Sequence, residues 1–106
     1  MSAGVRRIRP EERTEGAGTP GMLSGWHHHG SYESTIYVMT GALRMEFGPG
    51  GAETLETGPG DFLYVAPGAI HRESNPSADE SRIIVVRAGS GEPVFNVDGP
   101  ERLLEG

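Results

Sequence analysis

The residues of this 106-residue chain best suited to chemistry are its four histidines, which fall in two short segments. His27, His28 and His29 are consecutive, and His71 lies far downstream. Imidazole is the commonest protein ligand for metal ions near neutral pH, and residues two apart on a strand point to the same face. His27 and His29 are therefore predicted to present a ligand pair, which His71 completes from a distant strand.

A carboxylate close to the histidine pair is the candidate fourth ligand. Glu33 follows shortly after His29. Imidazole combined with carboxylate suits divalent transition metals, and we expect Fe, Mn, Ni or Zn. A metal held by three or four protein ligands keeps positions open for water, substrate or dioxygen. The alternatives are a polar surface loop for the histidine run and a structural, hydrogen-bonded role for His71.

Short strands must position these residues. The 17 glycines and 8 prolines indicate many turns and no long helices. Alternating or β-branched apolar runs between the turns predict an all-β sandwich or barrel. The predicted strands cover residues 35–39, 42–47, 52–57, 62–65, 70–73 and 82–87, and residues 22–29 are also expected to be extended, within a total of seven to nine strands.

Composition excludes several function classes. The net charge is −6, so the chain lacks the basic footprint of a nucleic-acid binder. It contains no cysteine, which excludes disulfides and thiolate chemistry. No apolar run reaches the length of a membrane span, and no signal-peptide stretch is present, so a cytoplasmic protein without a membrane partner is expected. Residues 1–20 are expected to form an N-terminal arm, either an edge strand or a partner contact, and residues 21–106 a single domain.

The first histidine segment resembles one of the two motifs of the cupin superfamily. Gly21, five residues, His27, one residue, His29, three residues and Glu33 match that motif.

The second motif is matched around the remaining histidine. Gly60, five residues, Ala66 in place of proline, then Gly68, two residues, His71, three residues and Asn75 reproduce its spacing. The two motifs together identify the chain as a cupin-like sequence, and the resemblance covers residues 21–90.

One departure from the family pattern concerns the carboxylate. The segment from Glu33 to Gly41 is one residue longer than in the family, and counting back from Gly41 places Ser34 at the family's glutamate position. A slip of one residue reverses the face of a strand unless a bulge absorbs it. Ligation by Glu33 and a site of three histidines completed by water both stay open.

The resemblance implies a small antiparallel β-barrel or jelly roll that forms a homodimer. It also implies a divalent metal, held by His27, His29, His71 and Glu33, and a small-molecule ligand. An enzyme of this kind would act by O2 activation, as an oxidoreductase of the dioxygenase type, or by carbonyl polarisation, as an isomerase or cyclase. The alternative is a non-catalytic domain that binds or senses a small molecule.

Alternation along the strands predicts which side chains face the barrel interior. The candidates for its walls are Met39, Leu43, Met45, Phe47, Phe62, Tyr64 and either Ile83 or Ile84. Two strand arginines, Arg44 and Arg87, have two interpretations. Each either faces solvent or, if it points inward, binds a carboxylate in bidentate fashion.

Overall fold

Two antiparallel sheets make up the fold. The computed structural model describes residues 4–103, and within them a 3-10 turn at Pro10–Glu12 is followed by strands alone. The strands are β1 (Arg13–Gly18), β2 (His27–His28), β3 (Glu33–Thr40), β4 (Leu43–Phe47), β5 (Glu53–Thr57), β6 (Phe62–Val65), β7 (His71–Ser74), β8 (Ser81–Ala88) and β9 (Phe95–Asn96). The prediction of an all-β barrel or jelly roll is confirmed.

The first sheet has the strand order β1-β8-β3-β6, and the second has the order β5-β4-β7-β2-β9. Strand β8 lies inside the first sheet, between β1 and β3. Its sequence from Ile83 to Val86 is apolar on both faces: Ile83 and Val85 face the core, while Ile84 and Val86 face outward. The second sheet carries both histidine segments, because β2 and β7 are neighbours in it.

The core lies between the two sheets and takes alternate residues from three strands. The buried apolar side chains are Ile36 and Val38 of β3, Leu43 and Met45 of β4, and Leu63 and Val65 of β6. Each strand therefore turns every second side chain inward, as the period of two demands. Ile83 and Val85 of β8, a strand of the first sheet, pack against this cluster.

Strand β3 contains a β-bulge near its end. Its register with β8 shifts between Val38 and Thr40, which leaves Met39 between the two pairs. The bulge falls inside the segment in which the sequence has one residue more than the cupin pattern. Upstream of it, inward Val38 and Ile36 set the phase of the strand, so that Ser34 is buried and Glu33 is exposed.

Asn75 fixes the end of β7 by side-chain hydrogen bonds. It is fully buried, and its Nδ2 donates to the backbone carbonyls of Gly18 (3.0 Å) and Asp79 (2.8 Å). Its Oδ1 accepts from the backbone N–H of Ser77 at 3.0 Å. The residue that closes the second sequence motif thus joins the end of β1 to the loop before β8.

The N-terminal segment contributes an edge strand, because β1 pairs with β8 along its whole length. Val5 and Ile8 lie outside the strands and are exposed. Residues 1–3 of the predicted arm and residues 104–106 at the other end lie outside the described part of the chain. Within residues 4–103, no helix is long and apolar enough to cross a membrane.

Candidate metal centre

Neighbouring strands of the second sheet bring the two histidine segments together. His27 of β2 is the register partner of His71 of β7, and side chains paired in this way lie on the same face of an antiparallel sheet. His29 follows His27 by two positions, and Glu73 follows His71 by two. All three imidazoles are buried, with exposures of 9% for His27, 5% for His29 and 1% for His71.

Backbone carbonyls orient all three imidazoles. His27 Nδ1 bonds Gly25 O at 2.9 Å, His29 Nδ1 bonds Pro93 O at 2.8 Å, and His71 Nδ1 bonds Ala69 O at 2.8 Å. A carbonyl oxygen can only accept a hydrogen bond, so Nδ1 must carry the proton in each ring. In the neutral imidazole, Nε2 then keeps a free lone pair, which is the state that binds a metal.

Glu73 joins the three histidines to form one cluster. One ligand atom from each of the four residues lies within 4.8 Å of the others. The Glu73 Oε1 is 3.3 Å from Nε2 of His27 and 3.8 Å from Nε2 of His71. Two ligands of one ion, each about 2.1 Å from it, lie about 3 to 4 Å apart. The two Glu73 distances fall in this range, and the donor types of the cluster are those of a divalent metal site.

The Nε2 atom of His71 gives independent support for this fit. It is buried and has no hydrogen-bond partner within residues 4–103. A buried polar atom without a partner is costly, and proteins rarely tolerate one. Coordination of a metal would satisfy it.

Glu33, the predicted carboxylate ligand, lies outside the cluster. It is exposed, and its carboxylate accepts a hydrogen bond from the Tyr64 hydroxyl at 2.9 Å. His28 is also outside, because it points to the other face of β2 and stacks on Phe95 with ring centroids 4.9 Å apart. Three of the four predicted ligands, namely His27, His29 and His71, are brought together, and the carboxylate beside them is Glu73.

The signal for Glu73 was present in the sequence. The rule that places His27 and His29 on one face also places Glu73 on the face of His71, because both pairs are two residues apart on a strand. The family motif instead places the carboxylate ligand after the first histidine pair and not on β7.

Burial and the nearby carboxylate divide the histidines by pKa. Burial lowers the pKa of His29 and of His71 below the usual range of imidazole. The Glu73 carboxylate, by contrast, raises the pKa of His27 through a hydrogen bond. Burial of Glu73 opposes its ionisation, but the hydrogen bond from His27 and the neighbouring imidazoles hold the Glu73 pKa below its usual range. The carboxylate is therefore ionised and available as a ligand.

The sequence profile of the cupin domain matches residues 18–87, more than half of the chain. The chain therefore belongs to the cupin superfamily. No curated protein matches it.

Solved structures share the fold. The polyketide cyclase RemF from Streptomyces resistomycificus is 29% identical, with a TM-score of 0.69, over 81% of this chain and 59% of its own. A Cupin 2 conserved barrel domain protein from Salinispora arenicola is 26% identical, with a TM-score of 0.63, over 74% and 62%. An uncharacterized conserved protein with a double-stranded beta-helix domain from Klebsiella pneumoniae is 19% identical, with a TM-score of 0.69, over 81% and 73%. The chain thus spans about three-fifths of the first two.

We predict that the cluster binds zinc and that Glu73, not Glu33, is its carboxylate ligand. His71→Ala should abolish stoichiometric zinc binding because it removes a ligand atom, and Glu73→Gln should weaken it at least about tenfold because it replaces an anionic ligand with a neutral amide. His28→Ala and Glu33→Gln are matched controls outside the cluster and should bind zinc as the wild type does. Titration of each protein against a competing chelator measures these affinities. Full zinc affinity in Glu73→Gln, or its loss in Glu33→Gln, would refute the carboxylate assignment.

We also predict a proton release on zinc binding that depends on pH. At pH 6.5, the ordinary pKa of histidine, His29 and His71 are mostly neutral because their pKa is lowered. His27 is mostly protonated because its pKa is raised, and it must lose its proton to bind metal. Zinc binding at that pH should release about one proton, and the release should fall as pH rises. Calorimetry in two buffers of different ionisation enthalpy measures the release, and a release near zero or near three protons at pH 6.5 would contradict the assignment.

Proposed function

We propose that this cupin is a divalent-metal-dependent enzyme that polarises a carbonyl group of a small organic molecule. The metal ligands in this proposal are His27, His29, His71 and Glu73. The observation that carries it is the set of three Nε2 lone pairs that converge beside an ionised carboxylate while backbone carbonyls hold every Nδ1.

A cavity beside His71 supports a small-molecule ligand. Its volume is about 260 Å³, which suits one small molecule. Most of its wall is apolar and comes from β4, β5, β6 and the turn before β7. The lining residues are Met45, Phe47, Leu55, Tyr64, Val65, Ala66, Ala69 and His71.

In this proposal the metal and the side chains of the site have different roles. A divalent metal bound there supplies a Lewis acid and keeps positions open for an oxygen of the ligand. A ligand that fills the cavity would displace water from its apolar wall, and this would strengthen electrostatic interactions there. The carbonyls of Gly25, Pro93 and Ala69 hold the imidazoles in one tautomer. The likeness to a polyketide cyclase favours carbonyl polarisation over dioxygen activation for this site.

The test is metal-dependent enolisation of a simple diketone. We expect the protein loaded with zinc, manganese or nickel to accelerate hydrogen–deuterium exchange at the central carbon of acetylacetone at least about tenfold over the metal-free protein, because a polarised carbonyl acidifies its neighbouring C–H. Nuclear magnetic resonance in deuterium oxide follows the exchange. His28→Ala is the active control, and free metal at the same concentration is the background.

Three outcomes would overturn carbonyl polarisation. Exchange that does not depend on metal would remove the metal from the reaction. Stoichiometric metal and bound acetylacetone without faster exchange would indicate the non-catalytic binding domain. Oxygen uptake by the iron-loaded protein without exchange would indicate the dioxygenase reaction.

We further propose that the protein is a homodimer formed by the outer face of the first sheet. This face is apolar and exposed, and Phe62 is 70% accessible on it. A groove of about 320 Å³ crosses it, on the side away from the histidines. Its lining residues are Ile8, Arg13, Thr35, Tyr37, Phe62, Ile84 and Val86. Exposed contiguous apolar surface of this kind marks interaction sites.

Phe62→Asp should convert the dimer to a monomer, because it places a charge in the middle of an apolar contact. Sedimentation equilibrium measures the mass of each protein. Zinc affinity should not change, because Phe62 faces away from the histidines. A wild-type protein that is monomeric at high concentration, or a dimeric Phe62→Asp protein, would exclude this interface.

A further inference from the structure

Three buried side-chain polar atoms have no hydrogen-bond partner within residues 4–103. They are Ser34 Oγ, His71 Nε2 and Arg87 Nε. The proposed metal accounts for His71. Ser34 and Arg87 need a different explanation, because a polar atom left unsatisfied in the interior destabilises the folded chain.

Ser34 and Arg87 are neighbours across two strands. They are register partners on β3 and β8, so their side chains lie on the same face of the first sheet. That face is the inner one, because Ser34 is only 2% exposed and lies two residues from buried Ile36. On β8, Val85 packs against the core and Arg87 follows it by two positions.

Arg87 differs in its surroundings from Arg44 and Arg72, two strand arginines that pair with carboxylates. Arg44 pairs with Glu56, and Arg72 makes a two-pronged contact with Glu46 at 3.0 and 3.1 Å. Within residues 4–103 Arg87 forms no salt bridge, and its buried Nε has no hydrogen-bond acceptor. A guanidinium is always charged, and its fork of donors matches a carboxylate.

Arg87 faces the histidines across the barrel. Burial is the first cause that lowers the pKa of His29, and the positive charge of Arg87 lowers it further. Ser34 in turn pairs with Val65 of β6, which lines the cavity beside His71. Both residues therefore lie on the inner face of the first sheet, with Arg87 near enough to His29 to lower its pKa and Ser34 beside Val65 of the cavity wall.

We propose that Ser34 and Arg87 form a subsite that binds the carboxylate of the small molecule acted on at the metal centre. The guanidinium takes the two carboxylate oxygens, and the Ser34 hydroxyl donates to one of them. This inference rests on the proposed function for its reaction, and it specifies the substrate class as a small organic acid.

The charge of the interior supports an anionic ligand. Three neutral histidines and one carboxylate leave a bound divalent cation with one net positive charge, and Arg87 adds another. Like charges buried close together are costly unless an anion compensates them. A carboxylate would remove that cost and satisfy both orphaned polar groups, whereas a neutral ligand would leave the charge uncompensated.

The test compares benzoate with benzamide as ligands of the zinc-loaded protein. The two probes have the same ring and differ in charge, and titration calorimetry measures both affinities. We expect benzoate to bind more tightly than benzamide. Arg87→Met should reduce benzoate affinity about 10- to 100-fold, and Ser34→Ala about fivefold, because a charge-assisted hydrogen bond is stronger than a neutral one. Both should leave benzamide affinity unchanged.

Two further variants separate charge from position. Arg87→Lys keeps the charge without the fork and should retain part of the benzoate preference. Arg44→Met removes an arginine that pairs with Glu56 and should bind both probes as the wild type does. Thermal unfolding of each variant checks that it folds. If Arg87→Met fails to fold, Ser34→Ala still tests the subsite.

The outcomes distinguish this subsite from the metal centre. Equal affinity for benzoate and benzamide in the wild type, or wild-type benzoate affinity in both Arg87→Met and Ser34→Ala, would overturn the subsite while stoichiometric zinc left the metal centre standing. If zinc fails to bind, the metal centre is wrong. The same benzoate titrations of the metal-free protein then decide the subsite by the same criteria.

Discussion

The candidate site depends on three hydrogen bonds between imidazole Nδ1 atoms and backbone carbonyls. Each bond fixes a tautomer and aims Nε2 at the same small volume. The carbonyl for His29 comes from Pro93, in the segment before β9, so the two-residue pairing of β2 with β9 is part of the site's construction. Strand β9, at the edge of the second sheet, thus contributes to the site and not to the buried core. The core takes its buried apolar residues from β3, β4 and β6.

The phase of β3 decides which strand can supply a carboxylate. Ile36 and Val38 must face inward because they form the core, and the period of two then turns Ser34 inward and Glu33 outward. The bulge at Met39 lies at the far end of the strand and leaves this phase unchanged at Ser34. The inner surface of β3 therefore offers a hydroxyl where the family pattern has a carboxylate. The carboxylate beside the histidines is instead that of Glu73, on the strand that carries His71.

Sequence patterns predicted the fold and the three histidines because both rest on local rules. The strand segments follow from turn residues and alternation, and the histidine spacing follows from the period of two. The prediction that Phe62 faces the interior is wrong, because its side chain is 70% exposed. Its strand, from Phe62 to Val65, is apolar throughout, so alternation gives no phase, and the pairing with β3 decides which face is inner. Glu33 failed to reach the cluster for a similar reason, because strand phase depends on the core.

The position of the carboxylate also changes what Arg87 can do. A glutamate at position 34 would stand directly opposite Arg87 in the sheet, and opposite charges at paired positions attract each other. Such a pair would satisfy the guanidinium within the protein. Ser34 is too short and carries no charge, so it cannot neutralise Arg87, and the proposed subsite leaves the guanidinium to bind a ligand. Glu73, from the other sheet, lowers the net charge of the proposed metal centre. The presence of the carboxylate on β7, and not at position 34 of β3, therefore links the composition of the proposed metal centre to a preference for anionic ligands.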